Sequence, residues 1–153
     1  MSDPSDADLW GLITGHQQGV LATIGSSGAP QLSNVLYVAD ATARSVRISS
    51  TADRVKARNV TRNPLVALHV AGTDFWQYAV ANGRATVSEV ARTPGDEATD
   101  GLFAVHTAFY GARDRAAFDR EMIRDRRLVI RLEVKRLHGV MIAGGRRPVA
   151  DQD

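Results

Sequence analysis

The segment from Ser49 to Pro64, SSTADRVKARNVTRNP, places the hydroxyls of Ser49, Ser50 and Thr51 just ahead of four bases, Arg54, Lys56, Arg58 and Arg62. Such residues bind anions: hydroxyls donate to oxyanion oxygens, an arginine fork matches a phosphate bidentately, and a lysine adds a point charge. A helix starting just after Thr51 would be capped by that hydroxyl at the amides of Asp53 or Arg54. Its first-turn N–H groups then have no helical partner and lie at the positive end of the dipole, a ready anion site. Arg54 and Lys56 oppose that dipole, typically at about 0.3–1 kcal/mol, and a bound anion would relieve the conflict. A solvated helix with an ordinary cap and scattered bases fits the same letters, and pattern alone leaves both open.

Other residues offer less chemistry. FWQYAV sets Trp76 and Tyr78 at strand spacing, which predicts one shared face. Aromatics with polar tips suit a flat heterocycle, and core or interface aromatics fit equally well. The four histidines fall in different elements with no H-x3-H or H-E-x-x-H pair, so a metal site is not expected, and His69 reads as a satisfied strand histidine. No serine sits in G-x-S-x-G, and the acids of GDEATD suit a helix start, so hydrolase chemistry has no support. From Arg113 to Arg136, arginines interleave with Asp114, Asp119, Glu121 and Asp125, as expected of i,i+3 and i,i+4 pairs on a helix surface. Arg126 and Arg127, beside the closing strand, can instead reach an anionic tail. AGGRRP reads as a flexible tail rather than a phosphate loop.

Positioning these groups falls to a chain of 153 residues, the size of one domain with a core that needs neither disulfides nor metals. The absence of cysteine excludes a disulfide framework and thiolate metal sites, and fits a cytoplasmic protein. The acidic start MSDPSDAD lacks a basic n-region, and no apolar run is long enough for a membrane span. A formal net charge of +2 argues against a nucleic-acid partner and permits one local anion patch.

DADLWGLITGHQQ has helical spacing at Leu9, Leu12 and Ile13, with Asp6 or Asp8 as cap. GVLATIG reads as a strand, SSG as a turn and PQLSNVLYVAD as a second strand. In that strand the Gln31, Ser33, Val35 and Tyr37 face is the more polar and is expected to line a site. SVRISS is a third strand, ADRVKARNVTRN a helix ended by Pro64 or one residue sooner, and LVALHV a fourth strand. FWQYAVANGRATVSEV reads as a long fifth strand bulged at Gly83. Two helical stretches follow, and RRLVIRLEVKRLHGVMI closes the chain as one or two strands. Six or seven antiparallel strands with a few helices predict an α+β, mainly β, barrel with peripheral helices. Residues 1–153 then form one domain with a core over about 9–142, residues 1–5 and 144–153 being flexible.

In that order, GVLATIGSSGAPQLSNVLY, ISSTADRVKARNVTRNP, WQYAVANGRATV and DRRLVIRLEVKRLHGV resemble the split-barrel flavin and deazaflavin oxidoreductases, which share the fold of pyridoxamine-phosphate oxidase. Among these, the chain is similar above all to the actinobacterial subgroup of coenzyme F420H2-dependent reductases. The resemblance spans roughly Leu9 to Val140, and PQLSNV and the R-x-K-x-R-N run from Arg54 to Asn59 are its most specific motifs. It implies a homodimer of six-stranded split barrels with two cofactor grooves at the interface. It further implies a phosphate-binding segment at Ser49, Ser50, Thr51, Arg54, Lys56 and Asn59, with Gln31, Ser33 and Asn34 along the deazaflavin. Trp76, Gln77 and Tyr78 would approach the ring or tail, from either subunit, and Arg126 and Arg127 match a basic pair of the family. The implied activity is hydride transfer from reduced F420 to a flat, conjugated electrophile. Tyr37, Tyr78, Lys56 or solvent could supply a proton, and none is singled out. An FMN-dependent oxidoreductase on the same barrel and a non-catalytic F420-binding or storage protein are the alternatives.

Overall fold

The computed structural model describes residues 3–142. The tail expected over 144–153, AGGRRP included, lies outside the described residues, as do residues 1 and 2. The elements are α1 (Asp6–Thr14), β1 (Gln18–Ile24), β2 (Pro30–Asp40), β3 (Ser45–Thr51), α2 (Val55–Arg62), β4 (Leu65–Ala71), β5 (Tyr78–Val87), α3 (Glu97–Tyr110), α4 (Arg115–Arg124) and β6 (Arg127–Val140).

The strands form a closed barrel in the order β1-β2-β3-β6-β5-β4, every pairing antiparallel. The closing segment is one strand, so the described residues hold six strands and not seven. Its 14 residues pair with β3 at the start and with β5 along most of the length. The ladder shifts between Asn82 and Gly83. A Cβ at Gly83 would collide with the Glu133 carbonyl, so glycine permits this approach of β5 to β6.

Leu21, Tyr37, Val46, Ile48, Leu68, Val70, Ile130 and Leu132 are fully buried in the main core, joined by Leu9, Leu12 and Ile13 from α1. Each such side chain contributes about 1.5–3 kcal/mol by leaving water. Leu102, Phe118, Met122 and Val129 make a smaller core where α3 and α4 meet β6. The face of β2 expected to line a site is mainly a core face. Val35 and Tyr37 are buried, and the Tyr37 hydroxyl donates to the Ile13 carbonyl at 2.7 Å. Burial pushes the Tyr37 phenol up, which removes it as a proton donor to a ligand. Of that face, Gln31, Ser33 and the edge of Val35 border a groove, and Tyr37 does not. The α1 cap is Ser5, not Asp6 or Asp8; Asp8 instead completes a capping box with it. No helix among the described residues is long and apolar enough to cross a membrane.

Candidate functional site

Four elements meet at one groove of about 490 Å³: the first half of β2, the end of β3, the start of α2 and the start of β6. β2 brings Gln31, Ser33, Asn34, Val35 and Leu36, β3 brings Ser49, Ser50 and Thr51, and the bases are Arg54, Lys56 and Arg127. Strand register explains the last of these. Thr51 pairs with Arg127, so the first residue of β6 stands beside the segment that leads into α2.

The local structure of that segment differs from the expected one. Thr51 stays in the β3–β6 ladder and its hydroxyl donates to Asp53 Oδ1 at 2.6 Å, so it does not cap α2. That bond, foremost, holds the Asp53 carboxyl below its usual range. Arg54 occupies the cap position with no side-chain cap hydrogen bond. The start of α2 thus presents its dipole to the groove without a carboxylate or hydroxyl cap, and no acid lies in its first turn.

The electrostatics follow from three cations in a partly enclosed space. Burial lowers the Lys56 ammonium from its ordinary value, and the neighbouring charges of Arg54 and Arg127 lower it further. Burial likewise lowers the Arg127 guanidinium. Among the described residues no carboxylate lies within ion-pairing distance of Arg54, Lys56 or Arg127. Arg127 Nη2 donates to Ser49 Oγ at 2.8 Å, while its Nε is buried with no hydrogen-bond partner. Behind Ser49 stands His106 of α3, its Nε2 2.9 Å from the hydroxyl oxygen. Burial, then the charges of Arg127 and Arg113, push this imidazole down to about 4, so it is neutral at pH 7. A buried N–H without an acceptor is costly, and convergent cations repel; an anion with several acceptor oxygens resolves both.

Residues 7–141 match the model of the pyridoxamine 5'-phosphate oxidase family, nearly the whole described chain. The chain belongs to that family. Solved structures agree on the fold. A conserved hypothetical protein from Mycobacterium tuberculosis superposes with a TM-score of 0.68 at 20% identity, covering 93% of each chain. An F420 reductase superposes at 0.62 with 22% identity, over 83% of this chain and 93% of its own. A FAD-binding protein from Mesorhizobium loti gives 0.59 with 16% identity, over 89% and 94%.

In this member of the oxidase family, five of the expected site residues do not line this groove within the one chain: Asn59, which lines an adjoining groove, and Trp76, Gln77, Tyr78 and Arg126. Asn59 is buried. Its Nδ2 donates to Thr23 Oγ1 at 3.0 Å, Thr23 donates to Gln31 Oε1 at 3.2 Å, and Gln31 Nε2 donates to Ser33 Oγ at 3.2 Å. Asn59 therefore fixes the β2 wall through Gln31 and does not line it. Trp76 and Gln77 precede β5, in a turn closed by the Asp74 carboxylate on the Trp76 amide at 2.9 Å. Trp76 and Tyr78 therefore share no strand face. Trp76 packs edge-on to exposed Phe75, and Tyr78 stacks on His69. Arg126 takes a positive φ of 53° between α4 and β6, and its carbonyl accepts from the Ala52 amide at 3.2 Å.

The sequence reading missed His106, which it counted only among four histidines in different elements. It also missed two neighbouring grooves. One, of about 540 Å³, shares Asn34, Val35 and Leu36 with the first and is bordered by His16, His69 and Tyr110. The other, of about 480 Å³, meets the first at Gln31 and Val55 and carries Ser26, Ser27, Arg58 and Arg62. His16 Nδ1 lies 2.8 Å from the Leu12 carbonyl and so carries its proton toward that oxygen, leaving Nε2 as the other reactive nitrogen.

Proposed function

We propose that this chain is an F420H2-dependent reductase that delivers a hydride to a flat, conjugated, electrophilic substrate. The observation that carries the proposal is the cluster of Arg54, Lys56 and Arg127 with, among the described residues, no carboxylate in contact and no partner for the buried Arg127 Nε. A phosphate diester fits that donor set. Arg58 and Arg62 in the adjoining groove favour an anion longer than FMN, such as a cofactor with a carboxylate-bearing tail.

When bound, the reduced deazaflavin supplies the hydride; the protein supplies orientation and electrostatics. Arg54, Lys56 and Arg127 would hold the phosphate, with the Ser50 hydroxyl beside them. Gln31, Ser33 and Asn34 would border the ring, and Val35 and Leu36 would keep water from one side of it. The substrate would enter by the groove of His16, His69 and Tyr110, which shares that wall. Holding two reactants face to face lowers a barrier by several kcal/mol, up to about 7–11 in ideal cases. The same reading includes a homodimer. Leu32, Phe75, Trp76 and Tyr110 are large apolar side chains 66%, 81%, 59% and 65% exposed, suited to a second copy, whose Trp76, Gln77 and Tyr78 could then complete the groove.

An FMN-dependent oxidoreductase is the second reading, because an FMN phosphate suits the same three cations. A side-by-side fluorescence titration of the purified protein with F420 and FMN separates them. Saturable binding of F420 alone supports the proposal, preference for FMN replaces it, and binding of neither removes the anion groove. Oxidation of F420H2 by enone or quinone acceptors then distinguishes a reductase from a protein that only holds the cofactor.

A further inference from the structure

We propose that His106, which does not line the groove, is a positioning residue for it: through Ser49 it fixes the Arg127 guanidinium for an incoming phosphoryl group. This rests on the anion-groove reading above.

The direction of the hydrogen bonds follows from their chemistry. A guanidinium only donates, so Ser49 Oγ must accept from Arg127 Nη2 at 2.8 Å. The single Ser49 hydroxyl proton is then free to point at His106 Nε2, 2.9 Å away. That requires Nε2 to present a lone pair, and so the Nδ1–H tautomer of a neutral imidazole. Burial and the positive charges of Arg127 and Arg113 maintain neutrality. The imidazole itself is held by packing, edge-on to Phe118 with ring centroids 5.3 Å apart and stacked near Tyr110 at 6.1 Å.

Arg127 has few other anchors. Among the described residues its Nε has no partner and no carboxylate is in contact with it. The Ser49 contact is its one side-chain hydrogen bond among those residues. Remove the His106 acceptor and the Ser49 hydroxyl must redirect its proton, with nothing else to set the angle of its lone pairs. An oriented, pre-desolvated donor binds an anion better than one that must be ordered on binding. His106 therefore acts on the ligand's phosphate arm and not on its ring.

The test uses two probes, F420 and the same ring with its ribityl chain but no phosphate or tail, titrated by fluorescence against wild type, His106→Leu, His106→Gln and Ser49→Ala. The wild type should prefer F420. His106→Leu and Ser49→Ala should each lose on the order of tenfold in F420 affinity, the scale of one charge-assisted hydrogen bond. Neither should change affinity for the phosphate-free probe. His106→Gln, whose amide can accept near the place of Nε2, should recover most of the loss. Equal weakening of both probes, or full F420 affinity in His106→Leu, overturns the proposal. A wild type without preference for the phosphate-bearing probe removes the groove reading and the proposal with it. Nitrogen-15 NMR of the unliganded wild type gives a reading independent of variant folding: Nε2 must be the unprotonated nitrogen of His106, and an Nε2–H tautomer overturns the assignment.

Discussion

Arg115 of α4 has two carboxylates in contact, Asp100 at 2.6 Å and Asp119 at 2.7 Å, whereas Arg127, at the start of β6, has none among the described residues and keeps its Nε buried and unpartnered by them. The contrast extends to their neighbours. On the α3–α4 side Arg113 meets Glu121 at 2.6 Å and Arg124 meets Asp125 at 3.1 Å. In the groove Arg54, Lys56 and Arg127 share the lining with the hydroxyl residues Ser49, Ser50 and Thr51. Hydrogen bonds donated to Asp100 and Asp119 raise the Arg115 guanidinium above its ordinary value, while burial lowers Lys56 and Arg127. Where arginine holds the fold together, its counter-charge is in the chain. Where cations gather without one, as the proposed function has it, the counter-charge would come from a ligand.

The comparison can be broken from either side. On the structural side, Asp119 is nearly buried and serves both Arg115 and the Gly95 amide, at 3.0 Å. Asp119→Ala strands both donors and should cost about 2–4 kcal/mol of stability, read by denaturant unfolding, with F420 affinity unchanged. On the groove side, Lys56→Ala and Arg54→Ala should each weaken F420 binding by about 1.5–3 kcal/mol in a fluorescence titration. Their melting temperatures should hold or rise, since each removes a charge repelled by its neighbours. A groove variant that unfolds with unaltered affinity would place these bases with Arg115 as structural.

Much of this contrast was legible from local letters. The i,i+4 spacing of Arg115 and Asp119 announces a helix-surface pair, and Gly83 announces a bulge, because both follow from one element's period. R-x-K-x-R-N marked the groove through its resemblance to a family, since periodicity alone left it a solvated helix. Thr51 was misread because its place in the β6 ladder outweighs its value as a cap, a competition invisible without the partner strand. Trp76 was misread because the Asp74 carboxylate makes a turn that strand alternation overran. His106 and Ser49 stand 57 positions apart, so no local pattern joins them; only the packing of α3 beside β3 and β6 does.

Acid sharpens the comparison further, because its two sides fail in different pH windows. His106 drops from an ordinary 6.5 to about 4 on folding, so the unfolded chain takes up its proton first. Its contribution to stability is complete above about pH 6.5, declines as pH falls toward 4, and is constant below. Urea unfolding across that range should show the decline in wild type and a flatter profile in His106→Gln.

On the helical side the smallest effect belongs to Asp96, the cap of α3. Burial opposes its ionisation, but amide bonds from Arg92, Thr99 and Thr93 prevail and hold the carboxyl at about 2. A depressed carboxylate stabilises the fold above its unfolded value, near 3.9, and loses that contribution as pH falls toward 2. Asp96→Asn keeps one acceptor oxygen, sets an NH2 where the other oxygen serves an amide, and removes the charge at the helix N-terminus, so it should lose about 1 kcal/mol at pH 7. The difference should vanish near pH 2, where the wild-type carboxyl is itself losing its charge. A gap that persists unchanged at pH 2 would mean that geometry, not charge, makes Asp96 the cap.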